Sequence, residues 1–334
     1  MTTADTLRFS PLVADDDETV TEWLALLAES AEPSLSLESP PPCPVDMVGS
    51  LRHAPPDTSL EDWVVRRDGR VLASLRLALP AGAPMVRVDQ LLVHPSVRRQ
   101  GIGRTLYSYA LERAAEHGRE GITATVVEQL PDGPERDPGP SAFAAAVGAK
   151  RSESGAGVHQ WLDLELNNPL ADGVPALAEG YELVTWGTTT PEEYAIAVSK
   201  LELSLGGASL DIPDEQVETS YARRFEVMRV GRGRRAYHTG VVHTASGLLV
   251  GYTSISKTTG NPQHALQGMT VVHTTHRGHG LGIVIKLANL AQTLEHVPTL
   301  RMLETANAEG NAAMIAVNAA MGFRPDARWT TWTS

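Results

Sequence analysis

A chain of 334 residues with 42% apolar and 20% charged side chains is long enough for two ordinary domains, each with its own core. Its net charge of -12 argues against a general nucleic-acid surface and favours cationic small molecules such as amines, and no unbroken apolar run reaches membrane-spanning length. The single cysteine, Cys43, excludes an intrachain disulfide and a multi-cysteine zinc site. Set among Pro40, Pro41, Pro42 and Pro44, it reads as a loop thiol. Met1 to Asp17 is polar and acidic rather than basic and then apolar, so a cytoplasmic location is expected.

In chain order, Trp63-Val64-Val65 and Val71 to Leu77 flank the turn Arg67-Asp68-Gly69-Arg70, which predicts a β-hairpin. A strand at Val86 to Val93 follows. Leu106, Ala110, Leu111 and Ala114 recur at helical spacing up to His117-Gly118, and Ile122 to Val127 reads as a further strand. Pro131 to Pro140 reads as a surface loop, and Val158 to Leu166 is an alternating stretch containing a tryptophan. Asn167 to Pro175 has the turn formers of a linker. The order then repeats: Tyr237 to His243, the turn at Ser246-Gly247, Leu248 to Ser254, a strand at Met269 to Val272, a helix through Leu287, Leu290, Ala291 and Leu294, and a strand at Arg301 to Thr305. Arg328 to Thr333 closes the second half with another alternating, tryptophan-bearing stretch. The expected organisation is a domain over 1–166, a linker over 167–178 and a second domain over 179–334.

Each half carries a glycine turn between an apolar strand and the long helix. The first is Val93-His94-Pro95-Ser96-Val97-Arg98-Arg99-Gln100-Gly101-Ile102-Gly103, and the second is Val272-His273-Thr274-Thr275-His276-Arg277-Gly278-His279-Gly280-Leu281-Gly282. Glycine lets the backbone approach an anion without a Cβ in the way, and the first helical turn offers unpaired N–H groups at its positive end, so a diphosphate is the expected guest. Hairpins stand where a dinucleotide-binding fold would have a βαβ crossover, and no Gly-Lys-Ser/Thr ends either turn, which disfavours Rossmann and P-loop sites.

A hairpin, a strand ending in Val-His-Pro, an Arg-x-x-Gly-x-Gly turn, a helix, a strand and a short helix resembles the GNAT (GCN5-related N-acetyltransferase) superfamily, and the duplication is similar to the tandem arrangement of mycothiol synthase. The resemblance implies an α/β fold of two tandem acyl-CoA N-acyltransferase domains with mixed sheets, and acetyl-CoA as the bearer of the diphosphate. Asn311 to Phe323, with Asn311 and Asn318, resembles the family's short helix and Gly-Phe turn beside the pantetheine arm. Its first-half counterpart, Ser141 to Ala149, lacks the leading asparagine and the aromatic after glycine. The family's usual acid, a tyrosine, is replaced by Asn318 in one half and Ala144 in the other. The usual base position is Asp89 in the first half and Gly268 in the second.

For deprotonating an amine in the second half, the candidates are Glu304, Glu226 and His273. A solvated helix face competes as a reading of Glu226, and a hydrogen-bonding scaffold as a reading of His273. His273, His276 and His279 lie in a turn rather than on one helix face, so no metal is expected. The basic run from Arg223 to Arg235 reads as a solvated edge rather than an RNA surface. Acetyl transfer to a small-molecule amine is expected, by a monomer or homodimer without nucleic-acid or membrane partners. Lysine acetylation of proteins and acyl-CoA sensing without turnover remain the alternatives. The stretches expected near the acceptor, Pro33 to Leu51 and Glu193 to Phe225, carry no diagnostic pattern.

Overall fold

The computed structural model describes residues 7–30, 42–152, 155–205 and 212–334. The expected proline loop at 40–41 and parts of both expected acceptor stretches, 33–41 and 206–211, lie outside the described residues. The chain forms two compact units, Met1–His159 with Pro325–Ser334, and Gln160–Arg324.

In the first unit, β1 (Arg8–Pro11), α1 (Asp17–Ser30) and α2 (Pro44–Arg52) precede the hairpin β2 (Thr58–Arg67) and β3 (Arg70–Pro80). Arg67 pairs with Arg70, and Asp68 and Gly69 have φ of 53° and 82°, the positive pair that a two-residue hairpin turn requires. Next come β4 (Met85–Val93), α3 (Ile102–Glu116), β5 (Gly121–Gln129), α4 (Gly139–Ala146) and the short β6 (Lys150–Arg151). β1 to β4 pair antiparallel in sequence order, and β4 pairs β5 in parallel. α3 covers one face of this sheet: Ile102, Leu106, Ala110 and Ala114 meet Ala73, Leu75 and Leu77 in its core. Burying each leucine or isoleucine contributes roughly 1.5–3 kcal/mol. On the opposite face, Trp23, Leu26 and Leu27 of α1 pack on Val64 and Val71.

The second unit takes β7 (Gly157–Asp163) from Gln160 onward, and continues with β8 (Tyr181–Trp186), α5 (Glu192–Leu205), α6 (Ser220–Gly231), β9 (Arg234–His243), β10 (Leu248–Thr258), β11 (His264–Val272), α7 (Leu281–His296), β12 (Met302–Ala308) and α8 (Ala312–Ala320). Its sheet runs β8-β9-β10-β11-β12-β7, antiparallel from β8 to β11 and parallel between β11 and β12. α7 fills one face with Leu281, Ile285, Leu287 and Leu290, while Val198 and Leu201 of α5 meet Trp186 and Tyr252 on the other. The repeat seen in the sequence is thus a repeat in space.

The closing stretches are exchanged between the units. β13 (Arg324–Thr333) pairs antiparallel with β5 from Ala327↔Gln129 to Thr333↔Thr123, completing the first unit, while β7 stands beside β12 in the second. Residues 167–178, expected as a linker, fall in the second unit. Buried polar contacts hold β13 in place: Arg136 donates to Asp326 Oδ2 and to its carbonyl, and His159 Nδ1 meets Asp326 Oδ1 at 2.6 Å. Removing one member of a buried charge pair strands the other. Asp326→Ala is therefore expected to lower stability by about 3–5 kcal/mol in urea unfolding, and replacing Arg136 and Asp326 together by Met and Leu to cost less.

Candidate active site

The two glycine turns have the same backbone. His94 and His273 each end their strand and accept, through Nδ1, the N–H of the residue two positions on, Ser96 at 3.2 Å and Thr275 at 3.3 Å. A turn of 3₁₀-helix follows in both. Arg98 Nε then donates to the Val93 carbonyl and Arg277 Nε to the Val272 carbonyl, both at 3.1 Å. These arginines therefore brace the loop through one nitrogen and leave the rest of the guanidinium outward.

Two residues in each turn adopt positive φ. In the second they are glycines, Gly278 at 86° and Gly280 at 70°; in the first they are Arg99 at 65° and Gly101 at 88°. A Cβ built on Gly101, Gly278, Gly280 or Gly282 would meet nothing within 4 Å. The space over the helix start is therefore open to a guest such as a diphosphate, and these glycines fit that group. At Gly103 the same Cβ would lie 3.3 Å from the Phe143 ring, so the first turn is more closely walled. Gln100 contacts Arg67 at 3.1 Å, and Ile102 and Leu281 are buried at the first helical position, anchoring each turn to its core.

Upstream of each turn the central strands part. β4 pairs β5 from Met85 to Val88 and no further, and β11 pairs β12 from His264 to Leu266 and no further. Each parting coincides with a bulge. Arg76↔Gln90 is followed by Leu77↔Val88, leaving Asp89 over, while Thr253↔Thr270 and Ile255↔Gln267 put Gly268 and Met269 opposite Ser254. A bulge bends its strand and leaves backbone unpaired on the departing edge. In the second unit, hydroxyls hold this distortion: Thr305 Oγ1 donates to the Gln267 carbonyl at 3.2 Å and Thr253 Oγ1 to the Met269 carbonyl at 3.0 Å. Gly268 fits closely there: a Cβ would lie 2.5 Å from Ser254 Oγ, which would have to rotate away, and 3.3 Å from the Ser254 carbonyl.

The three candidate bases lie on separate elements. Glu304 is the last residue of β12 to pair with β11, at the fork, with His264 Nε2 at 3.4 Å. Glu226, on α6, accepts from the Thr190 N–H at 2.9 Å and from Arg223 at 3.1 Å, an arrangement that ties a loop to a helix. His273 caps its turn, as described. Asp89 is paired with Arg87. Asn311 caps α8 by accepting the Met314 N–H at 3.2 Å. Asn318 is fully buried; its Oδ1 accepts from Lys286 Nζ, and its Nδ2 donates to Gln160 Oε1 at 2.8 Å. Lys286, itself buried and 5.2 Å from the Phe323 ring centre, is pushed down to about 7 by desolvation.

A cluster that the sequence did not announce surrounds the second turn. Tyr181 contacts His276 Nδ1 at 3.0 Å, and the His243 and His276 rings are 4.9 Å apart, with His273 and His279 adjacent. Burial, and then the neighbouring histidines, lower the His276 pKa from 6.5, so it is neutral at pH 7. Spacing could reveal His273, His276 and His279 but not Tyr181 and His243, which arrive from β8 and β9. Among the described residues, no group of three or more His, Cys, Asp or Glu side chains could hold a metal ion, and no helix is long and apolar enough to cross a membrane.

Two outcomes are expected in calorimetric titration with coenzyme A. Gly101→Glu and Gly280→Glu each weaken binding at their own turn by at least about tenfold, since a carboxylate replaces open space beside the helix N-terminus. Because His276 has a lowered pKa, its protonation opposes folding of the empty protein as pH falls below about 6.5 but favours a bound anion. Affinity at the second turn therefore rises as pH falls through and below about 6.5, and His276→Asn flattens that rise.

A family model described as Acetyltransferase (GNAT) family matches residues 23–131. A solved tandem GNAT protein from the clavulanic acid biosynthesis pathway is 64% identical, with 98% of each chain covered and a TM-score of 0.93. At the level of fold, a GCN5-related N-acetyltransferase from Sphaerobacter thermophilus, 16% identical, covers 100% of this chain and 96% of its own with a TM-score of 0.67. A GNAT-family acetyltransferase from Colwellia psychrerythraea, 12% identical, covers 98% and 99% with a TM-score of 0.57. With two glycine turns below two diverging strand pairs and near-complete likeness to a tandem GNAT protein, this chain belongs to the GNAT acetyltransferase family.

Proposed function

We propose that the protein is an acetyl-CoA-dependent N-acetyltransferase acting on the primary amine of a small molecule, with the chemistry in the second unit. An open glycine turn beside a strand that diverges at a bulge carries the acetyl-CoA reading in both units. The freer second turn, with open space at Gly282 where a Cβ on Gly103 would meet the Phe143 ring at 3.3 Å, favours the second. Acetyl-CoA supplies the activated acetyl group. The turn's N–H groups and Arg277 hold the diphosphate, and the unpaired edge of β11 beyond Leu266 offers N–H donors to an oxyanion. The amine nitrogen forms a bond to the acetyl carbon, the carbon–sulfur bond breaks, and one amine proton ends on the sulfur, giving an amide and a free thiol.

In this reading Glu304 takes the amine proton, directly or through water, supported by its position where β12 stops pairing with β11. A thiol leaves readily as thiolate, with a pKa near 8.5, so Asn318 in place of a tyrosine is compatible with turnover. The clavulanic acid pathway of the similar tandem protein supports a small-molecule acceptor over a protein. A second reading, acyl-CoA binding without turnover, draws on that same Asn318 and on Ala144.

Steady-state release of free thiol from acetyl-CoA over an amine panel decides between them. Gly280→Glu is expected to reduce turnover more than tenfold and Gly101→Glu much less, with Glu304→Gln lowering kcat by about a hundredfold. Turnover lost in Gly101→Glu alone would move the chemistry to the first unit, and tight binding with no turnover on any amine would favour the second reading.

A further inference from the structure

On the α5 and α6 side of the second sheet, two arginines of one helix differ: Arg223 meets the Glu192 and Glu226 carboxylates within 4.0 Å. Arg229, on α6, is half-buried and lies 4.7 Å from the Phe225 ring centre, and among the described residues it has no hydrogen-bond or ion-pair partner. Burial opposes its charge and the Glu202 carboxylate favours it from a distance, so its pKa falls below the usual arginine value. Its N–H donors are not sealed from solvent and stay free for an acceptor brought by a ligand.

Glu202, on α5, is the opposite charge in this region, and it is not joined to Arg229. Its Oε1 accepts from the Tyr252 hydroxyl at 2.7 Å, and that hydroxyl also touches Met269 Sδ at 3.2 Å. Met269 is the bulge residue of β11, so Glu202 is linked through one buried tyrosine to the place where the strands part. Tyr252 is held protonated, its pKa raised by burial and by the Glu202 charge. Glu202 Oε2 is left for another donor.

We propose that the region between α5, α6 and the bulge of β11 binds an acceptor carrying a carboxylate as well as its amine, an amino-acid-like zwitterion, with Arg229 holding the carboxylate and Glu202 facing the ammonium group. The inference rests on the N-acetyltransferase reading and narrows its substrate class. A planar guanidinium matches a carboxylate with two parallel hydrogen bonds, and Glu202 disfavours a dianionic phosphate at the same place. An amine without a carboxylate fills one of these two partners and leaves the other empty.

The test uses the proteinogenic α-amino acids, β-alanine and γ-aminobutyrate, each beside its own carboxamide, in the thiol-release assay. The wild-type protein is expected to prefer at least one carboxylate over its carboxamide by about 10- to 100-fold in kcat/KM. Arg229→Gln brings that ratio close to one through KM, and Arg229→Lys restores part of it. Calorimetric titration of the same compounds into protein saturated with coenzyme A supplies a readout independent of turnover, with binding lost in Arg229→Gln. Amides turned over as well as acids, with Arg229→Gln silent, would overturn the inference and leave the acetyltransferase reading intact. Carboxylate binding that depends on Arg229 without any thiol release would uphold the subsite and sink that reading, while no binding and no preference would overturn the inference.

Discussion

Both units depend on one constraint: two parallel strands must stop pairing at a fixed point. The bulges at Asp89 and at Gly268 and Met269 impose it, because an extra residue on one strand turns it away from its parallel neighbour. Divergence leaves backbone donors exposed at mid-sheet and opens the space that continues to the glycine turn. If β11 stayed beside β12 past Leu266, those donors would be used in the ladder and no extended guest could lie between the strands. The cost is met locally in the second unit, where Thr253 and Thr305 satisfy carbonyls on either side of Gly268. The same glycine that removes a family base position sits closely against Ser254.

The units differ in how they treat charge. In the first, the ionised groups are largely spent on each other. Glu61 is pushed down to about 2, chiefly by the Arg113 hydrogen bonds, with His117 also bonded to it, and Asp89 meets Arg87. In the second, several polar groups carry desolvation with fewer partners. His238 is lowered to about 4 by burial, Lys286 has Asn318 and an aromatic face, and Arg229 has Phe225. Polar groups held this way favour a site that gains its remaining contacts from a ligand over one that is complete on its own.

Much of this was legible in the chain. Arg67-Asp68-Gly69-Arg70 named its hairpin because positive φ at two successive positions suits Asp-Gly, and the glycine turns stood out because they repeat between the same neighbours. The bulges were not legible, since a bulge is a relation between strands; Asp89 and Gly268 mark it only once the register is known. The exchange of β7 and β13 was hidden for a similar reason. Both stretches alternate and carry tryptophan, so pattern alone fits either to either sheet. Tyr252, Glu202 and Arg229 come from a strand and two helices whose apolar spacing records packing, not convergence. Glu226 illustrates the converse: a carboxylate on a polar helix face, with Thr190 and Arg223 as its partners.

The exchanged strand also sets an order of events on the ribosome. Residues up to 159 emerge with the edge of β5 bare, and the strand that covers it is translated only after the whole of 160–324. At about 5–20 residues per second, that edge waits on the order of ten to thirty seconds. During that interval the nascent chain presents an open ladder to any other extended segment, and β7, with its similar alternation, is the first such segment to follow.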